Sequence, residues 1–377
     1  MSYDMKRILH ISKYYYPFRG GTEQIAQDCV NALKEDYEQK VFCFNDGKED
    51  KKDSVDGIDI IRAGCFTKYA SQSISMSYGR LLKSTITSFK PDIIIFHYPN
   101  PFAAHYLLKY IPENCKFAIY WHLDIVKQKM LKQFFIVQNK KLVERADALI
   151  ATSPTYVDGS PWLSSAKEKC KVVPNCINVE RLQGSPEVEK KAEEIREANK
   201  DKIICLAVGR HTEYKGFKYL IQAAHLLDDS FQVYITGKGE ETDNLKAEAG
   251  GDKKIHFLGL VDDVELKGYL TAMDIFCFPS ITKNEAFGLA LAEGMYYGKP
   301  VVTFTITGSG VNYVSIKDVT GLEVPNRDVK AYAEALKRLA SDEKLRRQMG
   351  AAGKKRVEEN FLNRQFKDNI LRVIEEL

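Results

Sequence analysis

The sequence has no long apolar run, no closely paired cysteines and no low-complexity segment. None of its apolar runs approaches the roughly 20 residues that a helix needs to cross a bilayer, and no apolar stretch typical of a signal peptide follows the first residues. We therefore expect a cytoplasmic protein that contacts a membrane at most peripherally. None of the eight cysteines is spaced as C-x-x-C, and Cys43, Cys205 and Cys277 lie in apolar runs, so we expect free thiols.

The chain also has little net charge, which argues against nucleic acid as a partner. Its 55 basic and 51 acidic residues give a formal charge of +4 at pH 7. The excess is uneven, since residues 1–180 carry 25 basic against 20 acidic residues and the remainder carries 30 against 31. With 377 residues, of which 44% are hydrophobic, the chain is long enough for two domains.

Short apolar strands alternate with amphipathic helices in both halves of the chain. Strands are predicted at 7–11, 39–44, 93–97, 116–121 and 148–151, and again at 203–208, 232–236, 255–257, 275–278 and 301–304. This rhythm is typical of doubly wound parallel sheets, so we expect an α/β fold. We place the domains at 1–178 and 184–360, with a polar linker near 176–183 and a helical tail.

Two carboxylates eight positions apart, Glu285 and Glu293, are the strongest functional signal. A short strand at 275–278 precedes Glu285, and a helical pattern runs from there to Glu293. Ligands of open α/β sheets bind outside the carboxyl ends of the strands, so Glu285 should face a crevice and Glu293 its wall. Such a pair suits a ligand with hydroxyls at both ends, such as a nucleotide sugar. Each Glu alone is equally typical of a solvated helix end.

Two cations, Arg210 and Lys215, follow another predicted strand in the run V-G-R-H-T-E-Y-K-G. Arginine can bind two phosphate oxygens at once, and lysine adds a compact charge. A diphosphate gains negative charge as it leaves a sugar, and fixed cations stabilise that transition state. An ordinary surface loop is the alternative for this pair.

The N-terminal half carries weaker signals at strand ends. Gly20 and Gly21 follow the first strand and precede a helix, where free N–H groups favour phosphate; an ordinary turn is the alternative. His122 follows a buried strand, where a satisfied structural histidine is equally expected. His97 and Ser153 lie at other strand ends, and Tyr16 lies beside the glycine pair; all three are candidates for the acceptor side.

The run N-E-A-F-G-L-A-L-A-E-G-M-Y-Y-G-K-P-V-V resembles the E-x7-E signature of retaining GT-B glycosyltransferases of the family 4 type. The resemblance extends over nearly the whole chain, from the glycine pair at 20–21 to the turn at 320–322. It implies a GT-B fold of two Rossmann-like domains with a cleft between them. The C-terminal domain would hold the nucleotide sugar, the N-terminal domain the acceptor, and the last helix, 363–377, would pack back on the N-terminal domain.

The resemblance also implies roles for individual residues. The catalytic set would be Glu285, His122, Arg210 and Lys215. The donor-binding set would be Gly20, Gly21, Arg210, Lys215, Gly237, Val261, Glu285, Phe287, Gly288, Leu289 and Glu293. In this set Glu293 binds the ribose hydroxyls, Val261 reads the base through its backbone, and Glu285 contacts the sugar or phosphate region.

We expect no cofactor and no metal requirement. Asp262-Asp263 and Asp56/Asp59 lack the strand-end D-x-D setting that holds a divalent ion in the other glycosyltransferase fold. Arg210 and Lys215 would neutralise the diphosphate instead. The expected partners are a UDP- or GDP-linked sugar and a glycan or lipid-linked acceptor in surface polysaccharide or glycolipid synthesis. A nucleotide-sugar epimerase of the same fold and a non-catalytic nucleotide-sugar-binding protein remain alternatives. Residues 124–145 form a basic amphipathic segment that suits an anionic membrane surface or, equally, a domain helix.

Overall fold

The computed structural model describes residues 5–18, 20–69, 72–125 and 132–377. The chain divides into two compact units, Met1–Cys176 with Asn363–Leu377, and Ile177–Leu362. The residues predicted as a linker contain a short helix, Val179–Leu182, which belongs to the second unit. The helix forms there because the side chain of Asn178 caps it by accepting from the N–H of Arg181.

The first unit is built on an eight-stranded sheet. Its strands and the strands of a small hairpin are β1 (Arg7–Ile11), β2 (Glu38–Phe44), β3 (Lys51–Val55), β4 (Ile58–Ala63), β5 (Thr67–Tyr69), β6 (Gln72–Ile74), β7 (Ile93–Tyr98), β8 (Lys116–Trp121), β9 (Ala148–Ala151) and β10 (Cys170–Val172). The order in the large sheet is β10-β9-β8-β7-β1-β2-β4-β3, and β5 pairs with β6. All neighbours in the large sheet are parallel except β3 and β4.

Helices flank this sheet: α1 (Gly21–Leu33), α2 (Tyr78–Phe89), α3 (Pro101–Tyr110), α4 (Lys132–Arg145) and α5 (Pro154–Gly159). Strand β7 lies at the centre and is buried at all six positions, which explains its unbroken apolar sequence. The sheet order reverses between β1 and β7. The loops after these two strands therefore flank the place where such sheets bind ligands.

The second unit has a six-stranded parallel sheet with the order β13-β12-β11-β14-β15-β16. Its strands are β11 (Ile203–Val208), β12 (Phe231–Thr236), β13 (Ile255–Gly259), β14 (Ile275–Phe278), β15 (Val301–Phe304) and β16 (Gly321–Val324). Its helices are α6 (Val179–Leu182), α7 (Pro186–Ala198), α8 (Phe217–Ala224), α9 (Thr242–Ala249), α10 (Asp263–Ala272), α11 (Leu289–Tyr296), α12 (Val311–Val314), α13 (Val329–Ser341) and α14 (Glu343–Asn360). The order reverses between β11 and β14, so the loops after these strands form the switch point of this sheet.

The last helix, α15 (Asn363–Glu375), belongs to the first unit and packs against α1. Its buried face consists of Phe366, Ile370, Val373 and Ile374. Lys367 reaches Glu35 at 2.8 Å from the exposed side. The apolar face of this helix therefore supplies the attachment, since an exposed ion pair contributes little to stability.

The basic segment at 124–145 is only partly described, because residues 126–131 lie outside the described residues. In α4, Phe135, Leu142 and Val143 are buried in the first unit. Lys140 and Lys141 are exposed. Within the described part of α4, these apolar residues thus serve the domain core. No helix among the described residues combines the length and the apolar composition that a membrane crossing requires.

Candidate active site

The central feature of the second unit is an ion pair between Lys215 and Glu285, at the switch point of its sheet. Lys215 follows β11 and Glu285 follows β14, and their side chains are only 13% and 12% exposed. Ser280 also donates a hydrogen bond to the carboxylate of Glu285, at 3.3 Å. The sequence placed each residue at a strand end separately, and the sheet order brings them together.

The two loops are held in contact by a glycine and a backbone hydrogen bond. Gly216 has φ +66°, and a Cβ atom there would lie 2.0 Å from the carbonyl oxygen of Pro279. The N–H of Ile281 donates to the carbonyl of Tyr214 at 2.9 Å. Any larger residue at 216 would push the loops apart, so this glycine positions Lys215 beside Glu285.

The charge of Lys215 is firmly held. Burial by itself would lower the pKa of Lys215, but the neighbouring Glu285 and Tyr214 outweigh it and raise the pKa above its usual value. The ammonium group also lies 5.1 Å from the ring centre of Phe278 and 5.6 Å from that of Tyr214. Lys215 is therefore a fixed cation and not a proton-transfer group at neutral pH.

Arg210 differs from Lys215, because its side chain is exposed and makes no ion pair with any residue in the described ranges. It lies directly after Gly209, where β11 has ended. Its guanidinium group is therefore available to an anionic ligand at the switch point. Nothing in the loop has to be broken before this residue binds an anion.

Glu293 lies on α11 and is half-buried. Burial raises the pKa of Glu293, an effect opposed by the charge of Arg181 and reinforced by Asp263. A carboxylate held in this way costs stability unless a ligand donates hydrogen bonds to it.

The start of α11 offers backbone donors. Gly288 stands at its N-cap with φ +94°, and no side chain caps the helix. Leu289 is the first helical residue. The side chain of Phe287 is only 2% exposed and packs edge-on against Phe361, so this residue can offer a ligand only its backbone.

The remaining donor candidates of the second unit lie in neighbouring loops. A Cβ atom at Gly237 would come within 2.0 Å of the carbonyl oxygen of Gly209, so this glycine lets the loop after β12 pack on the loop before Arg210. Val261 lies half-buried between β13 and α10. Both loops follow the carboxyl ends of their strands, as the sequence predicts.

In the first unit, the glycine pair begins α1, with Gly20 at the N-cap and Gly21 as the first helical residue. The carboxylate of Glu23 folds back on this turn, and a Cβ atom at Gly20 would lie 2.2 Å from its Oε2 atom. Thr22 donates to the same oxygen at 2.9 Å. No local pattern in the sequence predicts that this carboxylate occupies the space that Gly20 leaves.

His122 and His97 form a buried pair at the ends of β8 and β7. The Nδ1 atom of His97 lies 3.1 Å from the Nε2 atom of His122, and the two side chains are 3% and 5% exposed. Burial lowers the pKa of His122 to about 3, and burial together with His122 and His10 lowers the pKa of His97 well below its usual value. Both rings are therefore neutral at physiological pH.

The three acceptor candidates have different surroundings. His97 is buried in the pair just described. Ser153 is fully buried and caps α5, where its hydroxyl accepts from the N–H of Tyr156 at 3.0 Å, an arrangement that favours a structural role. Tyr16 is 44% exposed.

Beside Tyr16 the first unit has an open cavity of about 440 Å³. It is lined by Tyr14, Tyr15, Pro17, Phe18, Phe44, Asn45, Asp46, Lys51, Asp53 and Arg62. Arg62 is 5% exposed and donates to the carbonyl oxygens of Tyr15 and Tyr16. The lining comes from the loop after β1 and from β2, β3 and β4, and only their pairing brings it together.

Comparisons with known proteins follow the same division of the chain. Residues 188–356 match the family described as Glycosyl transferases group 1, and residues 19–181 match Glycosyltransferase Family 4. The O-antigen chain mannosyltransferase C of Escherichia coli is 28% identical over 362 residues, which cover 94% of each chain. The D-rhamnosyltransferase WbpZ of Pseudomonas aeruginosa is 29% identical over 364 residues, 94% of this chain and 92% of the relative.

A solved structure extends the comparison to the fold. Anabaena Alr3699/HepE, crystallised in complex with UDP and glucose, matches with a TM-score of 0.78 over 99% of this chain and 100% of its own, at 18% identity. At this identity the likeness concerns the fold alone. The α/β architecture with two doubly wound sheets that the sequence predicts is confirmed.

Proposed function

Because the chain belongs to the GT-B glycosyltransferases of the family 4 type, we propose that it transfers a sugar from a UDP- or GDP-linked donor to a hydroxyl of a glycan or lipid-linked acceptor. We propose further that the anomeric configuration is retained and that the product is a bacterial surface polysaccharide or glycolipid. The relative from Escherichia coli is named for O-antigen chains, and the Anabaena protein was crystallised with UDP and glucose. Both names support a nucleotide-sugar donor and a surface glycan product.

The observation that carries the proposal is the buried pair of Lys215 and Glu285 at the switch point, with the exposed Arg210 in the same loop as Lys215. A donor diphosphate there would be bound by both cations. As the bond to the sugar breaks, negative charge grows on the diphosphate, and fixed cations stabilise that state more than the ground state. Glu285 would hold Lys215 in place and contact the sugar or its phosphate region.

Glu293 is proposed to bind the ribose hydroxyls of the donor. Its carboxylate is desolvated without being neutralised by a close cation, so two hydroxyl donors would compensate the cost of its burial. The uncapped N-terminus of α11, at Gly288 and Leu289, would supply N–H groups to the diphosphate. The backbones of Gly237 and Val261 would border the nucleotide.

In the first unit we propose His122 as the contact to the transferred sugar and its phosphate. Its low pKa keeps the imidazole neutral, so it would act as a hydrogen-bonding group and not as a cation. We propose a same-face mechanism in which the leaving phosphate accepts the proton of the acceptor hydroxyl. The two cations would take the part that a divalent metal plays in other transferases, so transfer should not require one.

We also propose that the exposed lysines Lys140 and Lys141 of α4 bring the protein to an anionic membrane surface. Phe135, Leu142 and Val143 of α4 are buried and only Val137, 55% exposed, adds an apolar contact among its described side chains, so this contact would be mainly electrostatic. Each lysine near such a surface contributes about 1 kcal/mol. Sedimentation with vesicles containing phosphatidylglycerol should fall for the K140E/K141E variant and in high salt; equal sedimentation of both proteins would contradict the contact.

The proposed function is tested by calorimetric binding of UDP, GDP and ADP, each with and without EDTA. We expect one base to bind more tightly than the others and EDTA to leave that affinity unchanged. Glu293→Gln should weaken the binding by about one to two powers of ten, the cost of roughly 1.5–3 kcal/mol for a charged hydrogen bond. If no nucleotide binds, the donor site is wrongly assigned.

A further inference from the structure

Three metal-ligand side chains lie together in the core of the first unit, apart from the residues assigned above to the donor diphosphate. They are His10 on β1, Cys29 on α1 and His97 on β7, and one ligand atom of each lies within 4.8 Å of the others. His10 and Cys29 are fully buried and His97 is 3% exposed. Among the described residues, this is the one such group of three.

Two nitrogen atoms of this cluster have no hydrogen-bond partner within the described ranges. They are Nδ1 of His10 and Nε2 of His97, and both are buried. A buried polar atom without a partner costs about 1–3 kcal/mol. Two such atoms, on rings that are grouped with the thiol of Cys29, indicate a shared ligand.

The opposite nitrogen of each ring is already engaged. The Nε2 atom of His10 lies 2.7 Å from Oε1 of Gln39. The amide of Gln39 donates to the carbonyl of Val30 at 3.0 Å, which fixes its oxygen toward His10. His10 must therefore carry its proton on Nε2, and its Nδ1 atom presents a lone pair to the cluster.

His97 has the same arrangement. Its Nδ1 atom lies 3.1 Å from Nε2 of His122, which leaves the unpartnered Nε2 as the nitrogen available to a metal ion. A histidine that binds a metal through one nitrogen commonly gives the proton of the other to an acceptor, which holds the ring in place. Both His10 and His97 have such a partner.

We propose that His10, Cys29 and His97 bind one zinc ion in the core of the first unit. A thiolate with two imidazoles is a ligand set that zinc prefers, and water would occupy the fourth position. In a tetrahedral site, bonds of about 2.3 Å to sulfur and 2.1 Å to nitrogen place neighbouring ligand atoms about 3.4–3.6 Å apart. A pair of atoms at the 4.8 Å limit would therefore have to close by about 1.2–1.4 Å when the ion binds.

Binding would replace the thiol proton of Cys29, which is released to solvent. It would also fix the proton of His97 on Nδ1, so that His97 donates to Nε2 of His122 and His122 carries its own proton on Nδ1. The zinc ion would therefore position a histidine of the proposed donor site without touching the substrate. The site is independent of the proposed function, and its test does not use activity.

The experiment measures zinc by plasma mass spectrometry in protein that was purified with zinc and then dialysed against EDTA. We expect about one zinc ion per chain in the native protein, released on denaturation. Cys29→Ala should retain less than about a tenth of this amount. Cys205→Ala, which removes an equally buried thiol from the second unit, is the matched control and should retain it all.

Two further measurements separate a built site from adventitious metal. Gln39→Met keeps all three ligands but removes the partner of His10, and it should weaken zinc about ten- to a hundredfold. Cobalt in place of zinc should show a thiolate-to-metal absorption band in the native protein. The proposal is overturned by substoichiometric zinc in the native protein, by equal zinc in Cys29→Ala, or by a cobalt spectrum without the thiolate band. The cobalt spectrum decides alone if Cys29→Ala does not fold.

Discussion

The variant Lys215→Met tests whether the ion pair at the switch point serves catalysis or only the fold. In the proposed reaction Lys215 stabilises the leaving diphosphate. Removal of one preorganised electrostatic group of this kind typically lowers kcat by about a hundred- to a thousandfold, or roughly 3–4 kcal/mol of transition-state free energy. We expect a loss of that size in a transfer assay with the donor identified by calorimetry.

The same variant should also lower the free energy of unfolding, because it leaves the carboxylate of Glu285 with 12% exposure and no cation beside it. Breaking a buried ion pair by removing one partner costs about 3–5 kcal/mol. We expect a loss of unfolding free energy at the low end of this range, because the side chains of Lys215 and Glu285 both keep some exposure. Urea unfolding at pH 7, where Lys215 is charged, measures this cost.

The double variant Lys215→Met/Glu285→Gln separates the two effects. It removes both charges, so most of the lost stability should return, while kcat stays low because the diphosphate still lacks its cation. Lys254→Met is a matched control: Lys254 pairs with Asp252 at 3.3 Å, with 15% and 18% exposure, before β13 at the opposite edge of the same sheet. This control should lose stability but keep wild-type kcat. Wild-type turnover in Lys215→Met, or recovery of turnover in the double variant, would refute the reasoning.

Three other outcomes are expected. Burial raises the pKa of Glu293 in the folded state, so ionisation of this carboxyl costs stability as the pH rises from the unfolded pKa to the folded pKa. Glu293→Gln should therefore stabilise the nucleotide-free protein against urea at pH 7 and lose this gain at low pH. An unchanged urea midpoint at pH 7 would contradict the prediction. His122 has a folded pKa of about 3, below the unfolded value of 6.5, so stability is full above pH 6.5 and should fall by up to about 1.4 kcal/mol per pH unit as the pH drops toward that value. His122→Asn should reduce the slope of unfolding free energy against pH. Arg210→Ala should lower kcat/KM without a change in melting temperature, since the side chain is exposed; a large loss of stability would show that it supports the fold.

The regular elements of this chain follow closely from local sequence. The apolar runs of β7, β11, β12 and β14 predict buried strands, because parallel strands covered on both faces need apolar residues at successive positions. The motif at 285–293 led to the family, and the matches to known proteins confirm that family. The roles of the individual site residues stay predictions.

Elements with weaker local signals were missed. Strand β3 is polar at its first four positions, which hides the hairpin of β3 and β4. Its Asp56-Gly57 turn, with φ of +51° and +82°, is a signal that could have been used. The linker predicted near 176–183 contains a capped turn of helix that its polar composition did not predict. Short elements such as these depend on caps and neighbours more than on periodicity.

The sequence by itself determined the α/β class, the strand-end position of each candidate and the chemistry available there. Only the tertiary structure decided which candidates meet. Lys215 and Glu285 are 70 positions apart, and they pair because β11 and β14 are neighbours in the sheet although two strands separate them along the chain. His10, Cys29 and His97 come together for the same reason, through the neighbouring strands β1 and β7. Periodicity reports which face of an element is buried, whereas strand order is set by the packing of the whole unit, and no local pattern contains it.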